Sequence, residues 1–173
     1  MIDKKNRKNP RFPASKEQEV KAKILMQLTE EKNTALNPLT GIAGGACGGD
    51  ILFHELCDEL EIHSELYLAL PPAAYKRQSV SFAGKIWESR FDKLIKKHPT
   101  TILPKEIRYN KEKNIWAETN LWILGHVLKT GQSMTLIALW DGKTGDGKGG
   151  TEHMITKVQN KGGKIKIIDI NKI

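Results

Sequence analysis

Cysteine is scarce in this chain: Cys47 and Cys57 are the only two in 173 residues. Two thiols do not make a disulfide framework, so reduced side chains in a cytoplasmic protein are expected. Aromatic residues make up only 6%, which is thin for a surface that stacks nucleic-acid bases. No apolar run approaches the ~20 residues of a bilayer span, and the longest, residues 121–128, is interrupted by Gly125 and His126. The opening MIDKKNRKNPRFP holds no apolar stretch, so neither a secretory signal nor a membrane partner is expected. Blocks of five like charges are also missing, as is any basic helix with interleaved aromatics. These absences exclude a membrane span, a disulfide scaffold and a fibrous repeat.

What is present is an ordinary globular mixture, 39% hydrophobic and 28% charged. Its length suits a single domain, residues 1–173, with one substantial core. The net charge of +8 admits nucleic acid or a small anionic ligand as partner, and equally a lysine-rich solubilising surface.

Residues 1–12 are polar and basic and read as a loop or arm. From Ala14 the pattern is helical, with Val20, Ile24, Leu25 and Leu28 on one face and Ser15 as the expected N-cap. A short buried strand, LTGIA, follows at residues 39–43. A helix is expected over residues 51–60, and a strand over 65–70 that Pro71-Pro72 closes. The next helix spans 80–97, with Ile86, Trp87, Phe91, Leu94 and Ile95 inward. A third strand is expected at 101–103, a tryptophan-bearing helix at 114–128, and the clearest strand, MTLIALW, at 134–140. The chain ends with a helix near 151–160 and a strand at 164–170. Alternation of strand and helix predicts an α/β fold, a mainly parallel sheet with helices on both faces. The chain enters on a helix where such folds start on a strand, so the fold's first strand is expected upstream of these residues.

Two glycine-rich loops carry the chemistry. The first, Gly44, Gly45, Ala46, Cys47, Gly48, Gly49 and Asp50, joins a strand to a helix. Glycine lets the backbone approach a ligand, and the helix start offers free N–H groups and a positive dipole end to a phosphate. It is neither a Walker A loop nor a strict GxGxxG motif. The second, DGKTGDGKGGT, runs from Asp141 to Thr151 and again feeds a helix. Ligands of open α/β sheets bind beyond the carboxyl ends of the strands. Both loops are therefore expected on one rim, with Asp141, Gly147, Gly149, Gly150 and Thr151 as further contacts. Asp50 reads as an N-cap and Thr151 as another. Gly45→Val is expected to remove ligand binding and leave the fold intact.

GIAGGACGGDILFHELC, NLWILGH and LIALWDGKTGDGKGGTEHM together resemble the SLOG superfamily (Smf/DprA–LOG Rossmann-like domains). The similarity is to bacterial accessory domains that stand beside signalling modules, and it covers the chain from about Arg11 onward. The resemblance implies a Rossmann-like domain that binds a nucleotide or nucleotide-derived ligand, such as one like ADP-ribose, with Gly44–Asp50 cradling phosphate. Asp146–Thr151 takes the place of the PGGxGTxxE motif of the phosphoribohydrolase branch. Gly147, Gly150 and Thr151 agree, while Asp146 replaces its proline and Lys148 its second glycine. Met154 stands where the catalytic glutamate would be, and a thioether neither takes up a proton nor stabilises an oxocarbenium ion. A non-catalytic sensor without cofactor or metal is therefore expected. The alternatives are a nucleotide N-glycosidic hydrolase using Glu118 or Glu152, and a basic DNA-binding module; a homo-oligomer stays open.

Remaining features point less sharply. Cys47, His54 and Cys57 lack a fourth zinc ligand and read as buried thiols with a helix-surface histidine. Cys47, if exposed at the helix start, would have a lowered pKa. Asn120 lies in an apolar stretch, so it either pins a loop or touches the ligand. Arg77, Arg90 and His126 are phosphate-contact candidates, with a salt bridge as the alternative for Arg90.

Overall fold

The computed structural model describes residues 1–4, 7, 11–110, 112–143 and 149–173. The chain forms two compact units, Met1–Ile102 with Ile173, and Leu103–Lys172. The class is α/β and Rossmann-like, as the alternation predicts: every strand pairing among the described residues is parallel.

In the first unit, α1 (Glu17–Thr34) precedes β1 (Thr40–Ala43), α2 (Gly49–Glu59), β2 (His63–Leu68), α3 (Pro72–Ser79), α4 (Lys85–Lys97) and β3 (Thr100–Ile102). The sheet order is β1-β2-β3, with Thr40 opposite His63 and Leu66 opposite Thr100. Parallel neighbours require crossovers, and the helices supply them. Helix α2 is the hub, packing on β1, β2, α1 and α4. It buries Ile51, Leu52, Leu56 and Cys57 completely, each aliphatic side chain contributing about 1.5–3 kcal/mol of transfer free energy. Its close approach to β1 needs a strand residue without Cβ: an atom there on Gly41 would lie 2.9 Å from the Cys57 sulfur.

Several boundaries differ from the sequence expectation. A helix starts at Pro72 itself, because proline suits the first helical position, where no N–H is needed. The helix expected over 80–97 breaks at Gly84 (φ +101°) and resumes at Lys85. Ile86, expected inward, is exposed, whereas Trp87, Phe91 and Leu94 are buried. Helix α1 starts after a 3-10 turn at Ala14–Lys16 and takes no cap from Ser15. The described part of the N-terminal arm is docked: Ile2 and Phe12 are buried, the Ile2 amide donates to the Cys47 carbonyl at 2.9 Å, and the Asp3 carboxylate accepts the amides of Arg11 and Phe12.

In the second unit, α5 (Lys105–Arg108) and α6 (Ile115–Lys129) precede β4 (Thr135–Trp140), α7 (Thr151–Gln159) and β5 (Lys164–Asp169). β4 and β5 pair in parallel along six residues, and α7 packs on both. Asn114 caps α6 by accepting the amides of Trp116 and Ala117 at 3.0 Å. Among the described residues no helix is long and apolar enough to cross a membrane.

Arg90 ties three helices of the first unit together. Its guanidinium donates to both Glu55 oxygens at 2.7 and 2.6 Å and to Glu17 at 2.7 Å, and it lies 3.9 Å from the centre of the Trp87 ring. It serves as a structural clamp, with its donors engaged by carboxylates. Arg90→Ala is expected to lower stability by about 2 kcal/mol, after discounting for partial exposure. Arg90→Lys should recover only part, since one ammonium cannot fork across two carboxylates. The urea midpoint measures both.

Candidate functional site

The first glycine loop leaves the carboxyl end of β1 and opens α2. Its backbone is held almost atom by atom. The Gly44 carbonyl accepts from His54 Nε2 at 2.9 Å. The Gly45 amide of the same peptide donates to the Tyr75 hydroxyl at 3.1 Å. A trans peptide points its C=O and N–H in opposite directions, so the two side chains grip one plane from both sides. The Ala46 amide donates to Asp50 Oδ2 at 3.2 Å, and the Cys47 amide to the Ser79 carbonyl at 3.0 Å. Three successive amides are thus taken by the protein's own acceptors. Leu52 N–H returns to the Gly48 carbonyl at 3.0 Å. Helix geometry leaves the Gly49 and Asp50 amides at the start of α2 with no intrahelical acceptor.

Asp50 is the second residue of α2, and Gly48 (φ +105°) is the N-cap. That left-handed φ is costly for any side chain, and an added Cβ would also strike the Ile2 backbone at 2.8 Å. The Asp50 carboxylate bends back over the loop: an atom placed on Gly44 would lie 2.7 Å from its Oδ2. A negative group therefore already sits against a loop amide.

The open side of Gly45 faces the core. A Cβ there would lie 2.8 Å from the Phe91 ring and 3.3 Å from Leu66, and Phe91 is stacked with Tyr75. The expectation that Gly45→Val leaves the fold undisturbed meets a steric conflict, because the new side chain would overlap Phe91. Gly45→Val should instead cost about 1–3 kcal/mol through overpacking, read as a lower denaturant midpoint with no ligand present.

Cys47 is fully buried, so the exposure on which a lowered pKa depended is absent. Burial pushes its thiol up to about 11, and that of Cys57 up to about 12. Neither is disulfide-bonded. So raised, the Cys47 thiol stays protonated at pH 8, and only thiolates alkylate. Iodoacetamide should leave both cysteines intact in the native protein and modify both in urea, as read by mass spectrometry.

His54 is buried completely rather than lying on the helix surface. Both ring nitrogens are engaged, Nε2 by Gly44 and Nδ1 by the Ser64 hydroxyl at 3.1 Å. Burial lowers its pKa below the usual imidazole range. Ser64 Oγ also lies 3.2 Å from His98 Nδ1, and His98 Nε2 lies 3.3 Å from Asp58 Oδ2. Lys97 closes the chain at 2.8 Å from Asp58. Carboxylate, imidazole and hydroxyl here follow the order of a hydrolase triad. Ser64, however, is 1% exposed and its hydroxyl is shared with His54, so no substrate reaches it. One signal for the buried histidine was legible: His54 lies three residues after Ile51, on the apolar face of α2. Ser64 and His98 come from other elements, β2 and the end of α4, and these two and Asp58, one turn along α2 from His54, carried none.

The second loop leaves the carboxyl end of β4 and opens α7. Gly147, with Asp146 and Lys148, lies outside the described residues. Asp141 is buried; its Oδ1 accepts the Lys143 amide at 3.1 Å and its carbonyl accepts from Asn171 at 2.9 Å. Asn120 pins the loop: its amide donates to the Gly149 carbonyl at 2.8 Å. Gly149 has φ +93°, and a Cβ on it would run into the backbone of Trp116 and Ala117. Gly150 is the N-cap of α7, so Thr151 is its first residue and not its cap. Glu118 is paired with Lys113 at 3.2 Å. Glu152 lies in the first turn of α7 and Met154 two residues later. Arg77 and His126 are exposed.

Among the described residues no group of three His, Cys, Asp or Glu side chains could hold a metal ion. Compared with family models, curated proteins and solved structures, the chain has no match.

Proposed function

We propose that this chain is a SLOG-type module that binds a nucleotide-derived anion of the ADP-ribose class and does not turn it over. The observation that carries this reading is the Asp50 carboxylate seated on the Ala46 amide. The turn at the carboxyl end of β1 favours a negatively charged oxygen, as a loop opening onto a helix N-terminus should. A phosphate approaching the Gly49 and Asp50 amides adds to that arrangement and is opposed by the Asp50 charge. The second loop repeats the plan of strand, glycine-rich turn and helix in its own unit. Met154 at the position of the hydrolase glutamate, and Glu118 engaged by Lys113, favour binding without cleavage. On the resemblance, such a module would stand beside a bacterial signalling domain.

Thermal shift across nucleoside monophosphates, NAD⁺, ADP-ribose and cyclic nucleotides tests this. A ligand at about 100 times its Kd adds roughly 2.7 kcal/mol. Asp50→Asn keeps an acceptor for Ala46 but removes the charge, so it should tighten binding by about tenfold or more. Absence of any shift, or weaker binding by Asp50→Asn, overturns the reading. Free base released by the wild type and abolished in Glu118→Gln or Glu152→Gln overturns its non-catalytic part.

A further inference from the structure

The chain Gly44 carbonyl, His54, Ser64, His98, Asp58 has a countable number of protons. A carbonyl and a carboxylate only accept. His54 Nε2 must therefore carry the proton it gives to Gly44, and His98 Nε2 the one it gives to Asp58. If both rings are neutral, both Nδ1 atoms are acceptors. Between them, at 3.1 and 3.2 Å, stands a single serine hydroxyl with one proton. It can satisfy one ring and not the other. The network is one proton short of completion.

We propose that Asp58, His98, Ser64 and His54 form a proton-operated clamp on the Gly44–Gly45 peptide. A proton added at His98 Nδ1 supplies the missing donor. His98 then donates to Ser64, Ser64 donates to His54, and His54 donates to Gly44, with every contact made at once. The proton belongs on His98, whose imidazolium is paired with Asp58, and not on His54, which lies fully buried against a carbonyl. When His98 loses it, the Ser64 hydroxyl is shared between two acceptors. Whenever it turns to His98, His54 loses its bond to Ser64 and the ring that grips the loop is held by the backbone carbonyls of Gly44 and Ala43 alone. The charged groups bearing on the two rings are Asp50 and Asp58 from α2 and Lys97 from α4, with the rings themselves 5.9 Å apart. His63 and Glu65, which flank Ser64 in β2, pair with each other on the opposite face of that strand. The clamp is thus closed at low pH and opens as pH rises through the His98 titration. It does not rest on what the loop binds.

The test uses the intact chain without ligand. Ring ¹⁵N spectra follow His54 and His98 across pH, and hydrogen exchange, corrected for intrinsic base catalysis, follows the Gly45 amide. Expected is a drop in Gly45 protection of roughly five- to tenfold, as loss of one hydrogen bond would give, along the same titration as the His98 ring. Leu56 in mid-α2 should keep its protection. His98→Gln, which cannot titrate, should abolish the step. Ser64→Ala should let His98 titrate with no response at Gly45. His98 titrating in the wild type without a Gly45 step sinks the proposal, whether or not the variants fold. So does a step that survives in His98→Gln or Ser64→Ala.

Discussion

The first unit depends on the orientation of one peptide group. Between Gly44 and Gly45 the carbonyl turns towards His54 and the amide towards Tyr75. That plane fixes where β1 ends, how the turn passes over Phe91, and where α2 begins. Both gripping side chains are buried, so neither bond competes with water, and a lost partner would leave a costly orphan. Two glycines are needed because each would-be Cβ is already opposed, by Asp50 and Tyr75 at Gly44 and by Phe91 at Gly45. Their smallness serves contacts with the protein itself.

That changes the meaning of the loop. A glycine-rich turn at a strand end suggests an empty cradle of amides. Here the amides of Gly45, Ala46 and Cys47 are already bonded to a phenol, a carboxylate and a carbonyl. The Asp50 carboxylate is the informative one, because it places the chain's own negative charge where an anionic guest would gain most. An external anion at such a turn would have to compete with the internal one, with the start of α2 as the common attractor. In the second unit Asn120 and Gly149 hold the corresponding turn against α6.

Burial, more than residue type, sets the chemistry of the titratable groups. Cys47 stands near a helix start, where a thiolate would be favoured, yet desolvation outweighs the dipole and raises its pKa. His54 is driven the other way by the same cause, being a base. Tyr75 follows the cysteines upward, first through burial and then through the nearby Asp50 charge. These groups are therefore donors and acceptors of fixed protonation.

The local pattern of the sequence determined the succession of strands and helices, the parallel class, and the strand–glycine loop–helix plan of both turns. Those follow from hydrophobic period, from proline and glycine positions, and from the connectivity parallel strands require. It also marked Asn120 as a polar group in need of a partner. The sequence alone could not settle what the loop amides and polar side chains bond to. The partners of the Gly45 amide, of His54 and of Arg90 lie 30, 10 and 73 residues away in the chain, and only packing brings them into range. Whether a glycine makes room for a ligand or for Phe91, and whether a histidine faces water or a carbonyl, depends on what stands on its far side. Spacing along the chain carries no record of that.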